Sequence, residues 1–255
     1  MAVIGAGCYY RDHAVQTAAI EEIKSLGRRT RVRGEPLGPE WLVKWLKKRG
    51  HPVLITNVSV TMPRKAGDAD LARLKNLRRL RALYLIHTKV TDDGLAQVGR
   101  ETGLQHLDLG RTKVTDRGLK HLRGFHELRR LMLSRTAVTD AGLDHIVPLN
   151  SLEALNLSGT KVTDAGIVKL AALRQLEWLR LDDTNVTDAC LAHARALPRL
   201  RYLNLRGTQV TEAGLAHLQG LHKLRRVLVK SGQFSKEGIA EWEEALPNVS
   251  VLARR

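Results

Sequence analysis

The string Thr-x-Val-Thr-(Asp/Glu) occurs six times, beginning at Thr88, Thr112, Thr136, Thr160, Thr184 and Thr208, and every interval is 24 residues without an insertion. A fixed period of this size predicts a solenoid, because a unit that buries apolar side chains on one side must stack on its neighbours to complete a core. Ahead of each string lies Leu-x-x-Leu-x-Leu: Leu80/Leu83/Leu85, Leu104/Leu107/Leu109, Leu128/Leu131/Leu133, Leu152/Leu155/Leu157, Leu176/Leu179/Leu181 and Leu200/Leu203/Leu205. Behind each comes Gly-Leu or a near equivalent, as in Gly94-Leu95, Gly142-Leu143 and Cys190-Leu191, then an apolar residue three positions on, as in Leu119/Leu122 and Leu215/Leu218.

Two periodicities share this unit. Leu-x-Leu alternates with period two, so a short strand points both leucines inward. Leu119, Leu122 and Phe125 recur at spacing three, which suits a short helix or 3₁₀ segment with one buried stripe. The Thr-Asp pair just before it supplies N-cap chemistry: an oxygen accepts from orphan N–H groups, and the acidic charge suits the positive helix end.

Leu-x-x-Leu-x-Leu-x-x-Thr-x-Val resembles the leucine-rich-repeat consensus, with Thr where that family carries Asn or Cys. The continuation Val-Thr-Asp-x-Gly-Leu is similar to a threonine-aspartate version found in bacterial repeat proteins and related to the repeats of F-box adaptors. The resemblance covers about residues 58–252. It implies an α/β fold: a right-handed solenoid with a curved parallel β-sheet on its concave face and short helices on its convex face. In the family the Asn side chain bonds backbone groups of the loop after the strand. By that resemblance Thr88, Thr112, Thr136, Thr160, Thr184 and Thr208 do the same through their hydroxyls. Six identical copies at the repeat period mark them as architecture and not as catalysts.

Degenerate copies flank the regular ones, as capping repeats should. Val58/Val60 with Leu71/Leu74/Leu77 precede them; Leu224/Val227/Val229, then Ile239, Trp242 and Leu246 on a helix, then Val249/Val251 follow. The expected division is an N-terminal helical cap at 1–57 and a solenoid at 58–255, with the regular repeats over about 80–223. About eight parallel strands near 4.8 Å apart would give a concave face about 35 Å long. Within the cap, residues 14–26 read as a helix with Ala18, Ile20 and Ile23 inward, stopped by Gly27. A basic loop (Arg28, Arg29, Arg31, Arg33, Gly34) follows. Pro39-Glu40 opens a second helix, Pro suiting its first turn. Its stripe of Trp41, Leu42, Trp45 and Leu46, with Lys44, Lys47 and Lys48 on or near the other face, is expected to seal the solenoid end; gripping a partner or a membrane surface is the alternative.

No apolar run approaches the roughly 18 residues that a membrane-spanning helix needs. Ala2–Tyr10 lacks a basic start and is short for a secretory signal, and Gly5-Ala6-Gly7-Cys8 is only faintly like a lipoprotein cleavage box. The expected location is the cytoplasm, the alternative being attachment through a membrane anchor outside this chain. Two cysteines, Cys8 and Cys190, do not make a disulfide scaffold; Cys190 stands where other repeats carry Gly and reads as structural. The formal charge of +16 is densest over residues 1–80. It allows the basic N-terminal module (Arg28, Arg29, Arg31, Arg33, Lys47, Lys48) to bind nucleic acid or an anionic surface, and a merely well-solvated surface explains it equally.

Catalytic signatures are absent from the sequence. Asp182-Asp183 are strand-end neighbours that point to different sides and so cannot flank one bond, and Gly5-x-Gly7 is a fragment of a dinucleotide fingerprint. His121, His145, His193 and His217 fall in one convex row, spaced too widely for a shared Zn²⁺ and without a completing Cys or carboxylate. Neither a metal nor a cofactor is expected. The concave face is where binding is expected. With Leu179 and Leu181 inward, Trp178, Arg180 and Asp182 point outward, and the next strand presents Tyr202, Asn204 and Arg206 in register. Arg130 and Met132 lie on an earlier strand. Trp178 beside Tyr202 among arginines has the composition of an interface hot spot, with Asp182 beside Arg206 as a surface pair. The expected role is a monomeric, non-catalytic scaffold for an unidentified protein. An F-box-like adaptor is a further alternative, although residues 1–57 show no F-box pattern.

Overall fold

Each Leu-x-x-Leu-x-Leu string contributes one short strand, and the strands join in a single sheet in sequence order. The computed structural model of the protein describes residues 14, 16–27, 30–36, 43–44, 47–48, 55–77, 79–98 and 103–254. The strands are β1 (Arg31–Pro36), β2 (Ile55–Thr61), β3 (Leu80–Tyr84), β4 (His106–Asp108), β5 (Arg130–Met132), β6 (Ala154–Asn156), β7 (Trp178–Arg180), β8 (Tyr202–Asn204), β9 (Arg226–Lys230) and β10 (Ser250–Arg254). From β2 onward every pairing is parallel. A parallel pair needs a crossover, and short helices at Asp92–Gln97, Asp116–Leu119, Asp140–Leu143, Asp164–Lys169 and Asp188–Ala194 supply it, with a 3₁₀ run at Glu212–Leu218. The fold is the leucine-rich solenoid that the 24-residue period predicts.

Stacking sets equivalent leucines on one another. Leu83, Leu107, Leu131, Leu155, Leu179 and Leu203 face inward from consecutive strands and are all buried, as are Leu85, Leu109, Leu133, Leu157, Leu181 and Leu205 one step along. Each such side chain contributes about 1.5–3 kcal/mol of burial. At the C-terminal end the helix Lys236–Ala245 closes the core with Trp242. The Trp242 ring meets Phe234 edge-on at 4.9 Å, and its indole N–H donates to the Glu212 carbonyl at 3.0 Å.

The N-terminal region departs from the sequence reading in two details. Arg31, Arg33 and Gly34, expected in a loop, form β1, which pairs antiparallel with β2 and brings the sheet to ten strands, not about eight. Charged side chains on an outermost strand erase the apolar alternation that would reveal it, and charges and Pro36 are devices that blunt an open edge. In the helix of residues 16–24, Ala18 is exposed and Ala19 is buried with Ile20 and Ile23; the inward stripe runs 16, 19/20, 23, the helical spacing. Of the second expected helix, Val43, Lys44, Lys47 and Lys48 are helical and Val43 is buried. Trp41, Leu42, Trp45 and Leu46, like Arg28 and Arg29, lie outside the described residues.

Candidate partner-binding surface

Two hydrogen-bonded systems run across the strands, and separating them shows which polar residues are free to act. The first is a seam on the helix side. Thr91, Thr115, Thr139 and Thr187 are N-caps whose hydroxyls accept from the backbone two residues on. The neighbouring aspartate, however, does more than charge its own helix end. Asp92 accepts from the Thr115 N–H at 2.7 Å and from the Thr115 hydroxyl at 2.7 Å, one repeat further on. The same two-point contact joins Asp68 to Thr91, Asp116 to Thr139, Asp140 to Thr163, Asp164 to Thr187 and Asp188 to Thr211. Glu212 ends the series on the N–H and hydroxyl of Ser235, and those bonds hold its carboxyl below the ordinary value.

This seam explains the repeated glycine. A Cβ on Gly142 would stand 2.2 Å from Asp116 Oδ1, and one on Gly166 would stand 2.2 Å from Asp140 Oδ1. These glycines make room for the carboxylate of the preceding repeat. Sequence reasoning missed that role, although Gly, replaced once by Cys190, recurring 26 residues after each Asp carries the signal. A second file holds the turn after each strand: the hydroxyls of Thr88, Thr112, Thr136, Thr160, Thr184 and Thr208 donate to the carbonyl three residues back at 2.5–2.7 Å.

The second system lies on the concave face. Register sets Ala154 beside Trp178 and Trp178 beside Tyr202; Arg180 stands between Asn156 and Asn204. The Trp178 and Tyr202 rings stack at 5.2 Å with 16° between their planes, an arrangement worth about 0.5–1.5 kcal/mol beyond burial. The Arg180 guanidinium lies 5.9 Å from the Trp178 ring centre. Asp182 holds it there: Arg180 Nε and one terminal nitrogen donate to the two carboxylate oxygens, each at 2.7 Å. The Ser158 hydroxyl and the Asn204 amide also donate to Asp182, at 2.6 and 2.9 Å. Asp182 is thus engaged by Arg180 of its own strand end, because a fork-shaped guanidinium two residues away matches a carboxylate at two points. Burial raises the Asp182 pKa, but the bonds from Arg180 and Ser158 outweigh it and the net value lies below that of an ordinary carboxylate. Asn204 is only 2% exposed and reaches the patch through Asp182. Nearer the N-terminal end, burial and then Arg130 keep His106 below its ordinary value, and burial raises Asp108.

A leucine-rich-repeat family model matches residues 102–122 and 149–171. Internalin C2 of Listeria monocytogenes superposes with a TM-score of 0.60 over 82% of this chain and 90% of that one, at 21% identity. The chain carries leucine-rich repeats and has the leucine-rich-repeat fold. A second internalin of the same organism, internalin F, aligns over 72% of this chain and 71% of its own with a TM-score of 0.41 and 17% identity. At these identities the likeness concerns the fold. None of the curated proteins matches the sequence.

Arg130 is exposed on β5 and Met132 partly so, both bordering a depression with Glu153, Ala154, Glu177 and Trp178. Arg206 follows β8, its N–H donating to Asn204 Oδ1. No group of three or more metal-ligating side chains comes together among the described residues, and His121, His145, His193 and His217 stay one per repeat. Cys190 is buried, and burial pushes its thiol well above the ordinary range, so it stays protonated. Among the described residues no helix is long and apolar enough to cross a membrane.

Proposed function

We propose that this leucine-rich-repeat protein is a non-catalytic scaffold that holds a protein partner on its concave face. Trp178, Arg180, Tyr202 and Arg206 form the centre of the contact, with Arg130 and Met132 beside it. The observation that carries this reading is the locked state of the patch. Stacked rings and a guanidinium fixed by Asp182 have little rotamer freedom left to lose when a partner arrives, and aromatic and arginine side chains dominate interface energetics. Asp182 and Asn204 act one step removed, by holding Arg180 in place. The 24-residue stacking does not itself require a Trp-Tyr-Arg cluster, since the equivalent outward position of β6 is Ala154.

The double variant Trp178→Ala/Arg206→Ala tests it. Affinity capture from the source cell should lose the partner that the parent chain retains, while the thermal melting curve stays within about 1 kcal/mol of the parent, as for surface changes outside a core. Equal capture by the variant and the parent chain would overturn the assignment.

A further inference from the structure

From β5 to β9 the first outward column of the sheet reads Arg130, Ala154, Trp178, Tyr202, Arg226. Large side chains rise on both sides of Ala154, which leaves a slot floored by a methyl group. Its walls are Trp178 on one side and Arg130 with Met132 on the other, with Glu153 and Glu177 at the rim. One face of the Trp178 ring is committed to Tyr202, and the ring also lines the slot. Arg180, held by Asp182, is not one of the walls.

A group seated over Ala154 would lie one strand spacing, about 4.8 Å, from Trp178. That falls inside the range of about 4.5–7 Å over which aromatic rings attract. A planar ring there extends the Tyr202–Trp178 stack to three, meets the Arg130 guanidinium from the other side and touches the Met132 thioether. Charge defines what flanks the ring. Both rim carboxylates are already engaged, Glu153 with Arg129 at 3.0 Å and Glu177 with Arg201 at 3.4 Å. Arg130, Arg226 and Lys230 make no ion pair among the described residues and are exposed. The column therefore presents cations at both ends and a ring-sized gap between them.

We propose that the slot over Ala154 takes an aromatic side chain from an acidic, extended segment of a protein partner; this rests on the concave face being the binding surface. Arg130 stands one strand spacing from the slot and Arg226 three. At about 3.3 Å per extended residue, carboxylates fit one or two residues to one side of the aromatic residue and about four to the other. Between Arg130 and Arg226 the column carries Ala154, Trp178 and Tyr202, so it offers cations at two separated points and not at every step of a phosphate backbone, which separates this segment from a nucleic-acid strand.

The probe is a fluorescein-labelled peptide, Gly-Asp-Asp-Tyr-Ser-Gly-Ser-Asp-Asp-Gly, titrated with the full chain and read by anisotropy. Replacing its Tyr by Ala should weaken binding about ten-fold, the size of a buried hot-spot ring, and replacing its Asp residues by Lys should abolish binding. In the protein, Ala154→Leu fills the slot from an outward position, so it should remove the preference for Tyr over Ala while the melting curve holds. Trp178→Ala should do the same from the wall side, which keeps the test valid if one variant folds poorly. Equal affinity for the Tyr and Ala peptides would overturn the proposal. So would displacement of the Tyr peptide by oligothymidylate or by anionic phospholipid vesicles more readily than by unlabelled peptide. If the peptides fail while Trp178→Ala/Arg206→Ala still loses its captured partner, the slot assignment falls and the concave-face reading stands. If that double variant also keeps its partner, both fall.

Discussion

The seam on the helix side and the concave face are cut from the same repeating unit, yet they differ in how far each rung resembles the next. Along the seam the same partners recur from Asp68 to Asp188, with N–H to carboxylate distances of 2.7–2.9 Å and hydroxyl distances of 2.6–2.7 Å. Along the concave column from β5 to β9 no rung repeats its neighbour, and only the two end rungs, Arg130 and Arg226, are alike. The seam is uniform because every interface between neighbours poses the same packing problem, and a buried N–H left without a partner would cost the same at each. Stacking makes no such demand on the outward strand positions. Departure from the period is therefore informative there, and it gathers around Trp178 and Tyr202.

Breaking the seam should have the largest effect on stability. Asp140→Ala removes both acceptors of Thr163 and should cost about 2–4 kcal/mol, a charge-assisted pair of bonds plus an unpaired donor. Urea denaturation would measure it, and a change below about 1 kcal/mol would show that the seam is ornamental. Because coupling in a solenoid is between neighbours, amide exchange should rise first around Asp140 and Thr163 and least at Trp242. A smaller effect is expected of Gly142→Ala. The added Cβ forces Asp116 Oδ1 off its 2.2 Å approach, while alanine returns roughly 1 kcal/mol of helix propensity. Cys190 shows that a side chain can be accommodated: Asp164 keeps its bonds to Thr187 at 2.9 and 2.7 Å. The net cost should be near 1 kcal/mol, and a cost equal to that of Asp140→Ala would mean the seam cannot yield at all.

Period and alternation were enough to read the stacked sheet and its inward leucines, because each rests on residues that recur in phase; the role of the turn threonines followed from the resemblance of the repeat to the leucine-rich consensus. The Trp178–Tyr202 and Arg180–Asn204 pairings were legible for the same reason: strand register in a regular solenoid is the repeat length. Three features escaped. β1 is an edge strand with Val32 alone packed on the core, so Arg31 and Arg33 looked like a loop. The reach of Asp92 to Thr115 links residues in different repeats, and N-cap chemistry within one repeat already accounted for both. The Arg180–Asp182 pair escaped because side-chain geometry along one strand, which register does not describe, decides it. The slot over Ala154 was invisible for another reason: it is defined by a residue that is small, and only its neighbours give that meaning.

The smallest expected effect belongs to Asp182, and it separates the two regions most sharply. Its side chain is 14% exposed and that of Arg180 is 32% exposed, so the pair contributes no more than about 1 kcal/mol to folding after solvent screening. A carboxylate whose folded pKa is depressed stabilises above its unfolded value and loses that contribution as pH falls through the folded one. For Asp182 the window opens at about 3.8, the ordinary value, and extends below it. Asp182→Asn keeps the shape but removes the charge that Arg180 needs. Its stability deficit against the parent should therefore be constant at neutral pH and should shrink towards zero as the medium is acidified below that value. Partner capture should behave differently. It should drop in Asp182→Asn at neutral pH by more than the stability loss explains, because a released Arg180 no longer stands fixed beside Trp178. A variant that captures as well as the parent would show that the rings alone form the contact, and that the polar network beneath them serves only the fold.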